Sequence, residues 1–215
     1  MAAAKSRSAL KSKPKSKSKS TSQFRSTLRL PPLVESELNP AQEKLLASMR
    51  STPRGGALSL GGPFGCYMHA PEIGEPIQQL AAYCRFKTRL PKRLSEFAIL
   101  AIGRIWKSQY EFHVHAREGE AAGIKPETIR DLKAGRAPQK APRDERALYD
   151  FIMELHRKQR VSNRNYARVQ KLLGDGGMVE LLAIMGSYTT TCMVLNTFRV
   201  PLPAGATPPF TEPKV

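Results

Sequence analysis

The sequence predicts an all-α fold, and three observations carry that prediction. Apolar residues recur at three- and four-residue spacing in one segment after another. The segments are punctuated by Pro, Gly and Asn at positions that start or stop helices. No alternating apolar–polar run bounded by hairpin turns occurs anywhere in the chain. With 215 residues, the chain suits one domain with tails and is long enough to bury a core without covalent staples.

Leu30-Pro31-Pro32-Leu33 marks an extended entry. Asn39-Pro40 then opens a helix to about Met49, with Asn39 as cap and Pro40 at the first helical position. Residues 51–65 are rich in Gly and Pro and are expected to form a loop, which leads into the cluster Phe64, Tyr67, Met68 and His69. A helix over Pro71 to Phe86 is expected to bury Ile73, Ile77, Leu80, Ala81 and Cys84. Pro91 starts the next one, in which Leu94, Phe97, Ala98, Ala101, Ile102 and Ile105 keep a helical period. A helix from Ser108 to Ala122 stops at Gly123, and Lys125-Pro126-Glu127 opens a short one ending at Gly135. After a polar linker, Asp144 to Lys158 carries the stripe Leu148, Phe151, Ile152 and Leu155. Ser162 to Leu173 is followed by a Gly break at 174–177 and a long apolar helix that ends before Val200-Pro201. Met178 to Phe198 is long enough to span a bilayer, but Glu180, Ser187, three threonines and Asn196 suit a buried or subunit-interface helix, so no membrane span is expected.

The net charge of +17 is unevenly spread. Residues 1–33 hold nine of the 35 Lys/Arg and none of the 18 Asp/Glu, which leaves +8 for the rest. Residues 1–30 are read as a disordered Lys/Ser-rich tail, because so few apolar side chains cannot offset the entropy of ordering. Three roles fit it: solubilising the domain, non-specific contact with nucleic acid or anionic surfaces, or organelle targeting. It has no apolar core of the kind a secretory signal needs. Residues 31–203 form the expected domain and 204–215 a C-terminal tail. The three cysteines, Cys66, Cys84 and Cys192, are far apart and odd in number. They form no CxxC pair and no zinc-type spacing, so a reducing, cytoplasmic setting without a metal centre is the expectation.

The chemistry concentrates in Ser108-Gln109-Tyr110-Glu111-Phe112-His113-Val114-His115. At about 100° per residue, Ser108, Glu111 and His115 fall within about 60° of one another on a helix. Phe112, Gly119 and Ala122 share that side, so three polar groups lie on the face expected to be buried. Glu111 and His115 are four apart and within hydrogen-bonding reach, a plausible proton-transfer unit. Ser108-x-x-Glu111 also reads as a capping box, which satisfies a helix start with the same two side chains. Glu96, inside an apolar helix, needs a partner. That partner is either Arg93 or Arg104, or the Ser108–His115 helix. Tyr67 and His69 are candidates to line a pocket, as are Tyr188 and Asn196, which share a face.

Arg93-Leu94-Ser95-Glu96-Phe97, Tyr110-Glu111-Phe112-His113-Val114-His115 and Ala122-Gly123-Ile124-Lys125-Pro126-Glu127 together resemble the carboxymuconolactone decarboxylase family, which includes the alkylhydroperoxidase D-type proteins. Gly61-Gly62-Pro63, His69-Ala70-Pro71-Glu72 and Leu195-Asn196 support the likeness, which spans most of 31–203. The resemblance implies an all-α domain that assembles as homo-oligomers, often trimers or hexamers. In peroxidase-type members a Glu, a CxxC and a His act together, and Glu96, Ser108, Glu111 and His115 fall at those four positions. A hydroxyl and a carboxylate cannot form the sulfenate or disulfide of peroxide reduction. The resemblance therefore implies a decarboxylase-like lyase without cofactors, acting on a small carboxylate or lactone. In it His115 is the acid/base, Glu111 orients it, Glu96 tunes its charge, and Ser108 or Tyr110 bonds the substrate. A peroxiredoxin-like antioxidant with a displaced cysteine and a non-catalytic assembly or binding protein are the alternatives. Arg85, Arg89 and Arg93 are candidates to attract an anionic substrate.

Overall fold

A computed structural model describes residues 28–211 apart from 56, 57 and 59. The basic-tail reading therefore falls almost wholly outside the described residues. A 3-10 turn at Glu35–Glu37 precedes eight helices: α1 (Pro40–Arg50), α2 (Gly62–Tyr67), α3 (Pro71–Phe86), α4 (Lys92–Ile105), α5 (Gln109–Ala121), α6 (Pro126–Lys133), α7 (Arg143–Lys158) and α8 (Asn163–Phe198). Among the described residues there is no strand, so the fold is all-α.

α4 is the axis of the molecule. Every residue from Leu94 to Gly103 is buried, because α4 packs against α5, α6, α7 and α8 together. Phe97, Leu100, Phe112, Leu148, Ile152 and Leu181 fill the core around it. Deleting one such ring or branched side chain costs about 2–5 kcal/mol. α5 folds back along α4 through a short link in which Lys107 takes a positive φ of 48°. Gly119 on α5 lets the two helices and Ile124 close together, since a Cβ there would stand 3.1 Å from both Leu100 and Ile124. A second cluster, with Leu45, Leu46, Met49, Tyr67 and Met68, joins α1 and α2 to the bundle.

Asn39 caps α1 as expected: its side chain accepts from Gln42 N, and Gln42 returns a bond to Asn39 N, both at 3.0 Å. The break in the last segment is also present. Gly174, at φ 66° and ψ 175°, is non-helical and divides α8 into two helical parts that meet at a kink. α8 is long and apolar enough to cross a membrane by length and composition, and more than half of that apolar window is buried against the bundle.

Two expectations need correcting. The Gly/Pro segment read as loop to residue 65 turns helical at Gly62, where Pro63 supplies a preset φ near the helix start. α3 is also rotated from the expected face, although Cys84 is buried and Ile77 partly buried as expected. Gly74, Gln78, Ala82 and Cys84 are buried, whereas Ile73 and Leu80 are 57% and 45% exposed. Small residues win that face because the backbone comes close: a Cβ at Gly74 would meet the Tyr67 carbonyl at 2.7 Å. Buried Gln78 donates its amide N–H to Ser48 and Glu75, while its Oε1 has no hydrogen-bond partner.

The segment after α8 returns to the bundle. Gln109 bonds the Phe210 backbone twice, donating to its O at 2.7 Å and accepting from its N at 2.9 Å. The Phe210 ring lies edge-on to Phe112 at 5.0 Å.

Candidate active site

α4 supplies Glu96, and α5 supplies Glu111 and His115, one turn apart on its inner face. The structure brings all three together. His115 Nδ1 lies 2.6 Å from Glu96 Oε2 and Nε2 lies 3.0 Å from Glu111 Oε1. Glu96 and His115 are each 2% exposed and Glu111 is 4% exposed. An imidazole bonded at both nitrogens by buried carboxylates is a strong trap for a proton. Burial alone would lower the pKa of His115. The charges and hydrogen bonds of Glu111, then of Glu96, outweigh it and raise the group to about 9. At neutral pH the ring is therefore an imidazolium that donates Nδ1–H to Glu96 and Nε2–H to Glu111.

Tyr188 of α8 sets the edge-to-face wall of this cluster, its ring 5.1 Å from that of His115. Burial first, then the Glu111 charge, push its phenol up, so it stays neutral. Tyr67 of α2 is also buried, with its hydroxyl 3.4 Å from Thr191 Oγ1. Tyr110 is half-buried, and a Cβ at Gly62 would stand 2.7 Å from its hydroxyl, so it packs over the start of α2.

Ser108 does not cap α5 through its side chain. The capping-box reading fails because Glu111 turns inward to His115 instead of back to the helix start. Ser108 Oγ is fully buried and has no hydrogen-bond partner among the protein's oxygen and nitrogen atoms. It lies beside the Cys192 thiol, whose ionisation burial strongly disfavours. All three cysteines are free and buried, and burial pushes Cys84 up to about 11.

His69 is not brought to the cluster; its Nε2 bonds the Pro31 carbonyl at 3.1 Å. Asn196 is exposed and donates to the Trp106 carbonyl at 2.8 Å. The three arginines considered for substrate attraction are engaged: Arg85 with Glu118, Arg89 with Glu180, and Arg93 with Asp144 and Glu145. Sequence reasoning missed Arg54. Its guanidinium stacks on Phe64 at 4.8 Å and Phe86 at 5.3 Å. Burial lowers its pKa, and it acts electrostatically on Tyr188 and Tyr67. Its Nη1 is buried with no hydrogen-bond partner. An arginine in a Gly/Pro segment just before an aromatic cluster was the available signal. Among the described residues, no three His, Cys, Asp or Glu side chains are arranged to hold a metal ion.

No family model matches the chain, and no curated protein matches it significantly. Solved structures do. An alkylhydroperoxidase D core protein from Ralstonia eutropha JMP134, described as an uncharacterised peroxidase-related protein, superposes with a TM-score of 0.66 at 15% identity, over 83% of this chain and 93% of that one. A debrominase in its apo form superposes with a TM-score of 0.60 at 13% identity, over 80% and 91%. A protein of unknown function from Agrobacterium tumefaciens, associated by description with the antioxidant defence protein AhpD, gives 0.56 at 16% identity, over 63% and 94%. The chain therefore has the all-α fold of the alkylhydroperoxidase D-like proteins, the superfamily that its Glu/His motif resembles.

Proposed function

We propose that the protein is a decarboxylase-like lyase that protonates a small carboxylate or lactone without a cofactor, with His115 as the acid. The carrying observation is the doubly bonded imidazole: its pKa of about 9 keeps a transferable proton in place at neutral pH. Loss of CO2 from a carboxylate β to a carbonyl breaks one C–C bond and leaves its electron pair as an enolate. The proton on Nε2 passes through the Glu111 carboxylate to that enolate carbon, and solvent then reprotonates the imidazole. Glu96 holds Nδ1 and keeps the ring charged. The unpaired Ser108 hydroxyl and Tyr110 bond the substrate, Tyr67 and Tyr188 wall the site, and Arg54 Nη1 anchors the carboxylate. A positioned acid of this kind contributes about 10²–10⁴-fold in rate.

The peroxidase reading has one specific observation in its favour, the Cys192 thiol beside Ser108. Its complete burial and disfavoured ionisation count against a nucleophilic thiolate. Within the same proposal the protein assembles in the cytoplasm as a homo-oligomer, a trimer or hexamer. The apolar residues left exposed on α3 and α8, including Ile73, Leu80, Val179, Leu182 and Met193, support an interface there.

Parallel assays of lactone decarboxylation by ultraviolet absorbance and of peroxide reduction with a dithiol donor test the reading. Decarboxylation that drops about 10²–10⁴-fold in His115→Ala and is untouched when Cys66, Cys84 and Cys192 are all Ser supports it. Peroxide turnover abolished by the triple Ser variant overturns it in favour of the antioxidant. No turnover in either assay across a panel of small carboxylates and lactones favours a binding or assembly protein.

A further inference from the structure

Away from the Glu/His cluster, a cleft of about 630 Å3 opens where the ends of α4 and α6 meet the returning C-terminal segment. Arg104 and Lys107 line it from the α4 side, Arg130 and Lys133 from α6, and Pro209 and Phe210 from the C-terminal segment. The lining contains no Asp or Glu. Among the described residues, none of the four cations makes an ion pair or donates a side-chain hydrogen bond. Of the acids nearby in sequence, Asp131 is taken by Arg136 at 2.8 Å, Glu127 does not line the cleft, and Glu212 lies outside the described residues. Arg104 stacks over the Phe210 ring at 5.4 Å, yet its Nε is buried without a hydrogen-bond partner. Arg104 also borders a neighbouring cleft of about 260 Å3 that carries His156 and Arg157.

Basic residues in the last turn of a helix complement its dipole, which accounts for Arg104, Arg130 and Lys133 one by one. It does not account for their convergence from two helices, with Lys107 added beyond the end of α4. Arg85, Arg89 and Arg93, by contrast, have each found a carboxylate. Four unneutralised cations around one concavity repel one another, and an anion of matching charge removes that repulsion. Arg offers paired donors that fit phosphate oxygens, and Lys adds point charge. The cleft volume lies within the range of about 300–1,000 Å3 typical of small-molecule sites. Pro209 and Phe210 give it an apolar wall for an organic group. That wall is held rigidly, because Phe210 is bonded through its backbone to Gln109 and packed against Phe112.

We propose that this cleft binds a nucleotide-sized molecule carrying adjacent phosphate groups, with the phosphates on Arg104, Lys107, Arg130 and Lys133 and the organic part against Phe210. It stands independently of the lyase reading.

Calorimetric titration of the full chain at physiological salt with ADP, ATP and inorganic pyrophosphate tests it. Saturable binding of ADP at one site per chain is expected. Arg130→Ala combined with Lys133→Ala should weaken it by about tenfold or more, the loss of two charge-assisted contacts. Both residues are exposed, so helical circular dichroism should not change. Arg117→Ala combined with Arg146→Ala removes the same charge from exposed positions on α5 and α7 and should leave binding intact. Phe210→Ala should weaken ADP more than pyrophosphate. Absence of saturable binding, equal weakening by the two double variants, or unchanged binding in the cleft variant overturns the proposal. The last result would assign the ligand to the basic N-terminal residues. A single-stranded RNA that binds more tightly than ADP through the same cleft residues overturns the small-molecule assignment.

Discussion

α4 carries two ionic clusters one helical turn apart, and they differ in a way that separates scaffold from chemistry. At its start, Arg93 clamps Asp144 at 2.5 Å and also bonds Glu145, tying α4 to the first turn of α7. Three residues on, Glu96 holds His115, which also holds Glu111. Both clusters hold a carboxylate that is 1–2% exposed. Yet arginine does not release its proton at any accessible pH, so the first cluster is a fixed arrangement of charge. The second contains an imidazole whose proton is movable. Burial of charge by itself therefore does not mark a proton-transfer centre. Burial around a group that titrates near the working pH does.

The largest expected effect breaks the first cluster. Arg93→Ala leaves Glu145 buried with its Oε1 deprived of a partner, while its Oε2 already has none. Burial already pushes the Glu145 carboxyl up despite Arg93. Removing one member of a buried pair costs about 3–5 kcal/mol, read as a lower urea midpoint. Turnover per folded molecule should stay the same. A variant that keeps its stability but loses turnover would show that the Arg93 cluster takes part in the chemistry after all.

The second prediction concerns the imidazole directly. In an NMR titration the His115 ring should titrate near 9, the value its surroundings impose. Glu111→Gln keeps the shape but removes one negative charge, and should bring the apparent pKa down toward the ordinary value of about 6.5. Glu96→Gln should lower it as well. A His115 that titrates near 6.5 in the unaltered protein removes the proton reservoir on which the lyase proposal stands.

Stability should follow the same proton. The folded-state pKa of His115 lies above its ordinary value, so folding stabilises the protonated ring. That contribution is full below about pH 6.5 and is lost as pH rises through about 9. Thermal melting should fall across this window, and the fall should flatten in Glu111→Gln. Arg93 keeps its charge across this window, so Arg93→Ala should lower the melting curve through the lost Asp144 and Glu145 contacts.

The two clusters were unequally legible in the sequence. Helix boundaries and the core stripe of α4 follow from periodicity and from Pro and Gly placement, as does the Asn39 cap. The Glu111–His115 pair is visible because it is local, four residues apart on one helix. Glu96 is 19 residues from His115, and only the fold of α4 against α5 decides between His115 and the arginines as its partner. The Arg93–Asp144–Glu145 clamp, the return of Phe210 to Gln109 and the unpaired Arg54 all join segments distant in sequence. α3 misled for a different reason. Its apolar period, with Ile73 and Leu80, is real, but the close approach of α2 and α1 adds Gly74 and Ala82 to the expected Cys84 on the buried face. Ile73 and Leu80 are left outward.

The smallest expected effect lies at Ser108, where the fold and the proposed chemistry make opposite demands. Its hydroxyl is fully buried with no oxygen or nitrogen partner, only the weakly bonding Cys192 thiol beside it, and leaving such a group unsatisfied costs about 1–3 kcal/mol. Ser108→Ala removes the unsatisfied oxygen and opens little space, so the protein should become more stable by about 1 kcal/mol. If that hydroxyl bonds the substrate, the same change should raise KM by about tenfold, equivalent to about 1.4 kcal/mol of lost binding, with the His115 titration unmoved. The Glu/His cluster would then need Ser108 as its substrate contact, and the chain would hold an unsatisfied group against its own stability for that purpose. Gained stability with unchanged KM would separate Ser108 from the site and leave the two glutamates and His115 as the whole of it.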